Sequence, residues 1–146
     1  MSVCLPDSIR MRLPYLLARA HQRQLDVFAR HTAAFDIAGR EYGLMLLLEA
    51  HHHLWQSQIA EALGLDRTTV TYLVDALEKR DWVARRRDPA DRRAHVVALT
   101  AAGEKALADI KPAVVEAKKE LLAPLSEQEQ DQLRDLLVRL ITTEAS

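Results

Sequence analysis

Residues 56 to 99 constrain the fold more than any other stretch, because their hydrophobic period changes partway along. Ile59, Ala60 and Leu63 share one apolar helical face, and Gly64 suits the left-handed residue that ends a helix. Leu65 follows as a core contact, and Asp66 is a good N-cap for the next helix. Val70, Leu73, Val74 and Leu77 then recur at i, i+3, i+4 and i+7, which buries one side of that helix. The opposite side presents Thr68, Tyr72, Asp75 and Lys79, with Arg67 and Thr71 flanking. Beyond it, Trp82 to Arg87 and Ala94 to Leu99 are short, β-branched and partly alternating, so they read as strands. Asp88, Pro89, Ala90 and Asp91 supply turn chemistry between them.

The tip of this hairpin, "RRRDPADRR", holds five arginines in nine residues, against a formal charge of −1 for all 146 residues. Such concentration matters locally, because partners feel the near field. A solvated charged loop is the bland reading. Helix, tight turn, helix and basic hairpin together are the plan of a winged helix-turn-helix. A slender, mostly uncharged helix face fits a major groove about 12 Å wide. Arginines on a wing suit the negative potential of a narrowed minor groove. Only one edge of the protein then needs positive charge.

The flanks read as helices. One runs from Leu13 to His31, with Pro14 in its first turn and Leu17, His21, Gln24, Phe28 and His31 on one face. A second spans Arg40 to Ala50, with Leu44, Leu47 and Leu48 inward. Thr100 caps a helix through Leu122 with a kink expected near Pro112. Ser126 and Glu129 form a capping box for a last helix with leucines 133, 136, 137 and 140 on one side. The fold class is therefore mainly α with a small β-hairpin. Leu16 and Leu17, with the leucines of the last helix, need a partner surface that a dimer supplies. A dimer also sets two recognition helices about 34 Å apart.

Other chemistries find little support. No phosphate loop, nucleophile elbow or plausible triad occurs, so no enzyme activity is expected. Cofactors are not expected either. The single cysteine, Cys4, excludes an intramolecular disulfide and fits a reducing cytoplasm. No apolar run reaches membrane-span length, and no signal-peptide core is seen. "HHH" at 51 to 53 reads as a polar loop rather than a metal site, since consecutive side chains cannot converge on one ion. A redox- or metal-responsive regulator, or a winged helix that binds only protein, are the alternatives.

The segment "SQIAEALGLDRTTVTYLVDALEKRDWVARRRDPADRRAHVVALTAAGEKAL" resembles the winged-helix core of the MarR family of bacterial transcriptional regulators. Its Thr-Val-Thr run, Val-Asp-x-Leu-Glu-Lys segment, Asp-Arg-Arg wing and Leu-Thr-x-x-Gly exit fall in order. The resemblance implies a homodimer, paired through first and last helices, that binds a pseudo-palindromic double-stranded DNA operator, most simply as a repressor. It also implies release by a small effector, an aromatic acid or phenolic compound. The division expected is an arm at 1–36, a winged helix-turn-helix at 37–103 and dimerisation helices at 104–146. Residues expected at DNA are Arg67, Thr68, Thr69, Thr71, Tyr72, Arg86, Arg92 and Arg93. Asp91 is expected to hold the wing by pairing with Arg85. Arg19, His21 and Gln24 are the expected effector contacts, although a satisfied core histidine competes as the reading of His21. Two departures stand out: Asp81 replaces the usual glycine after the recognition helix, and Ala38 and Glu41 stand where threonine and glutamine are common.

Overall fold

A computed structural model describes residues 2–91 and 93–142. Its helices in chain order are α1 (Asp7–Arg10), α2 (Leu13–His31), α3 (Gly39–His51), α4 (Gln56–Leu63), α5 (Arg67–Lys79), α6 (Ala101–Leu122) and α7 (Glu127–Thr142), with one 3-10 turn at Ala33–Phe35. Three strands, β1 (His53–Trp55), β2 (Val83–Arg87) and β3 (His95–Leu99), form one antiparallel sheet in the order β1-β3-β2. The "HHH" stretch is thus not simply a loop. His53 opens a third strand, which pairs with β3 through His53 and Ala98, Leu54 and Val97, Trp55 and Val96. His52 makes the turn into it at φ 64°.

The apolar positions of each helix meet in one core. Leu44, Met45 and Leu48 of α3, Ile59 of α4, and Val70, Leu73, Val74 and Leu77 of α5 are buried together with Val83 and Val97 of the sheet. Phe28 of α2 and Leu107 and Ile110 of α6 close the same core, so it crosses both expected segment boundaries. Transfer of each such side chain out of water stabilises the fold by about 1.5–3 kcal/mol. The long helices α2 and α6 are further joined where Arg30 donates to both oxygens of Glu120, at 3.2 and 2.7 Å.

The helix ends explain the segment lengths. Asp66 Oδ1 accepts the Thr69 N–H at 2.7 Å, and this bond, the largest cause, holds the Asp66 carboxyl below its ordinary range. Gly64 takes φ 63° at the end of α4, and Asp81 takes φ 60° after α5, a left-handed geometry that aspartate tolerates in place of glycine. Ser126 and Glu129 exchange reciprocal bonds of 2.9 and 3.2 Å at the start of α7. Ala38 leaves α3 without a side-chain cap. Residues 101–122 form one helix through Pro112.

The Leu-Thr-x-x-Gly exit has a steric reason. Thr100 Oγ1 accepts the Gly103 N–H at 3.0 Å and donates to the Asp81 carbonyl. A Cβ on Gly103 would stand 1.9 Å from the carbonyl oxygen of Trp82. Only glycine lets α6 approach the strand entry so closely. Arg80 braces the other side, donating to the carbonyls of Phe35 and Asp36 and stacking 3.7 Å from the Trp82 ring centroid.

In contrast, α1 and α7 bury no residue. Leu136, Leu140 and Ile141 of α7 are 59%, 58% and 79% exposed, and Leu16 and Leu17 of α2 are exposed as well. Among the described residues, no helix is long and apolar enough to cross a membrane.

Candidate nucleic-acid interface

The outward face of α5 and the β2–β3 hairpin lie side by side on one edge of the molecule. Burial of Val70, Leu73, Val74 and Leu77 leaves Arg67, Thr68, Thr71 and Tyr72 exposed, with Tyr72 at 72%. Thr69, also expected at DNA, lies beside them. It is half-buried, and its hydroxyl donates to Asp66 Oδ2 at 3.0 Å, so the N-cap occupies it.

The wing is held differently from the sequence expectation. Asp91 does not pair with Arg85; its Oδ1 accepts the backbone N–H of Arg93 at 3.0 Å, a local turn. Arg85 instead turns toward α5, because alternation along β2 puts it on the same side as Val83 and Val97. Its guanidinium bonds Asp75 Oδ1 at 2.6 Å, Glu78 Oε1 at 2.9 Å and Gln56 Oε1 at 3.0 Å, and its backbone N–H bonds Glu78 Oε2 at 3.1 Å. Its positive charge is therefore spent inside the protein. Arg86 and Arg87, one and two residues on, are exposed, as is Arg93 beyond the turn. Arg92, also expected at DNA, lies outside the described residues.

Asp88 is the residue that orders the wing, and sequence reading missed it as anything beyond turn chemistry. It is buried, its Oδ1 accepts the Ala90 N–H at 2.8 Å, and its Oδ2 accepts the indole N–H of Trp55 at 2.7 Å. The bonds from Ala90 first and Trp55 second hold its carboxyl below the ordinary aspartate range, and the neighbouring His53 adds to this. Gln56, also unnoticed, bonds Thr71 Oγ1 through its amide nitrogen at 3.0 Å.

The expected effector residues separate. Gln24 lines a groove of about 210 Å³ between α2 and α6, with Val27, Phe28, Val114, Ala117, Lys118 and Leu121. Arg19 and His21 are exposed and line none of it. His21 is not a core histidine in the single chain, since α2 is buried at Val27 and Phe28, nearer its C-terminal end. Lys118 supplies the groove's cation. Among the described residues, no three His, Cys, Asp or Glu side chains could together hold a metal ion.

A family model described as "MarR family" matches residues 40–95, the stretch from α3 to the start of β3. A protein assigned to transcriptional regulation of the hcr operon in Thauera aromatica is 34% identical over 134 residues, covering 91% of this chain and 81% of its own. Among solved structures, the transcriptional repressor CouR bound to a 23-mer DNA duplex is 30% identical with a TM-score of 0.88, covering 97% of this chain and 99% of its own. CouR bound to p-coumaroyl-CoA matches with the same TM-score and coverage at 27% identity. The likeness takes in the flanking helices as well as the helix-turn-helix and its hairpin, and on it this chain belongs to the MarR family of transcriptional regulators.

Proposed function

We propose that the protein is a homodimeric repressor that binds a pseudo-palindromic operator and leaves it when a small aromatic or anionic effector binds. One observation carries the DNA reading: a slender polar face on α5 stands beside a hairpin whose Arg86, Arg87 and Arg93 are exposed while its inner Arg85 is neutralised. Charge is thereby directed to one edge. Residues 37–103 do the reading, and 1–36 with 104–146 pair the subunits. Thr71 and Tyr72 reach base edges in the major groove, with Arg67 and Thr68 at the α5 N-terminus near phosphate. Arg93 enters the minor groove, and Arg86 and Arg92 contact phosphates. The exposed leucines of α2 and α7 supply the pairing surface.

CouR is seen both on DNA and with an aromatic acyl thioester, which supports a ligand-released repressor here. The groove between α2 and α6 suits the aromatic part of such an effector, with Phe28 as a wall, Gln24 for a hydrogen bond and Lys118 for a carboxylate. Coupling of about 1–3 kcal/mol would serve. The test is selection of duplexes from a random library, then titration of the selected duplex and a scrambled one with aromatic acids present or absent. A protein that binds both duplexes equally at every salt concentration is not a sequence-specific regulator, and the protein-binding alternative then takes its place.

A further inference from the structure

We infer that Gln56, through the wing residue Arg85, fixes the hydrogen-bond polarity of Thr71 and so determines which base edges Thr71 reads. The inference rests on the base-reading role proposed for Thr71.

The chain of bonds has only one consistent direction. An arginine side chain donates and cannot accept. The Nε–H of Arg85 lies 3.0 Å from the Gln56 side chain, so the amide must turn its oxygen toward Arg85. The amide nitrogen then faces Thr71, and it donates to Thr71 Oγ1 at 3.0 Å. An amide nitrogen has no lone pair to offer, so Thr71 accepts in this bond and keeps its own proton. Other threonines commit that proton within the protein, Thr69 to Asp66 Oδ2 and Thr100 to the Asp81 carbonyl. Thr32 and Thr142 donate theirs to the carbonyls of Phe28 and Val138, four residues back, at 2.8 and 2.7 Å. Among the described residues Thr71 shows no such back-bond, and the residue is exposed on the outward face of α5.

Arg85 cannot swing away to relax this order. Asp75 and Glu78 hold its other nitrogens at 2.6 and 2.9 Å, and its side chain is 24% exposed. The relay therefore starts from an anchored donor and ends on a hydroxyl that presents a proton. In the major groove that proton suits an acceptor, such as a purine N7, guanine O6 or thymine O4. Cytosine offers only its amino donor there and is disfavoured. Gln56 is a positioning residue, since it acts on DNA through Thr71.

The experiment measures base preference at every half-site position, using a set of duplexes selected by the unaltered protein, for Thr71→Val, Gln56→Met and Gln56→Glu. Thr71→Val should relax preference at one position by about two- to tenfold, the worth of one hydrogen bond. Gln56→Met, similar in length and unable to donate, should relax the same position. Gln56→Glu has only acceptors when ionised, so Thr71 must donate to it and turn a lone pair outward. Its preference at that position should shift toward cytosine or the adenine amino group, beyond any uniform loss caused by the added negative charge. If Thr71→Val relaxes the position while both Gln56 variants keep the original preference, the relay is overturned. If Thr71→Val leaves every position unchanged, the base-reading role of Thr71 itself fails. Thermal melting checks folding, and should Gln56→Glu not fold, relaxation in Gln56→Met decides alone.

Discussion

The indole N–H of Trp55 donates to Asp88 Oδ2 at 2.7 Å, across 33 positions of sequence, and so fastens the wing turn to the strand before the helix-turn-helix. Because bonds to Asp88 favour its ionised form, its folded pKa lies below the ordinary 3.8. The contribution to wing stability is therefore fully present above that ordinary value and is lost as pH falls through the lower, folded one. The Trp55 indole N–H resonance should stay shifted and protected from neutral pH down to the ordinary aspartate range, and lose protection only below it. Loss of the signal between about pH 7 and 5, above the ordinary aspartate range, would show that Asp88 does not hold the turn.

Gly103→Ala should be among the most damaging small substitutions in the chain. The added methyl meets a backbone carbonyl of Trp82, which cannot rotate aside. Overpacking of this kind costs about 1–3 kcal/mol or more. Urea unfolding compared with Ala102→Gly, on an exposed neighbour, measures it. A Gly103→Ala midpoint equal to that of the unaltered protein would contradict the close approach of α6.

The arginines of the wing should separate by role. Arg86→Ala should weaken binding to selected and scrambled duplexes alike and flatten the salt dependence by about 0.9 for each phosphate no longer neutralised. Arg93→Ala should cost about 1–3 kcal/mol and relax an A·T preference at the outer edge of each half-site. Arg85→Ala should act otherwise, lowering the melting temperature and DNA affinity together, because it releases Asp75 and Glu78 to repel phosphate. Titrations at several salt concentrations distinguish the three. Wild-type behaviour of Arg93→Ala on both duplexes would remove the hairpin from the DNA interface.

Leu136→Asp together with Leu140→Asp should give a folded monomer. Both side chains are more than half exposed on a helix that buries nothing within its own chain, so the substitutions cost the monomer little. Between subunits they place unpaired charge in an apolar contact. Sedimentation should show the unaltered protein as a dimer and the variant as a monomer with weakened operator binding. An unaltered chain that sediments as a monomer refutes the pairing surface.

Much of this architecture is readable from residue order because it is local. The Ser126–Glu129 box, the Asp66 cap and the four apolar positions of α5 are all set within one or two helical turns. The strand at His53–Trp55 is not, since three residues carry no measurable period and their partner lies beyond two helices. The partner of Arg85 is equally hidden. Asp91 is nearer in the turn, but the pleat of β2 aims Arg85 at α5, where Asp75 and Glu78 wait on successive turns. His21 misleads for a related reason: its spacing with Phe28 is helical, yet periodicity does not say how far along α2 the covering helix reaches.

The sheet order β1-β3-β2 joins a local pairing to a non-local one. The two strands of the wing are neighbours along the chain and can pair early, at the small loop-closure cost of a hairpin. The third strand pairs across the whole of α4 and α5, so its ladder is the non-local part of the sheet. Trp55 belongs to it. The bond to Asp88 therefore exists only where the strand ahead of α4 and the turn beyond α5 are both in place, so the Trp55 indole N–H reports on the reading helix and the wing together.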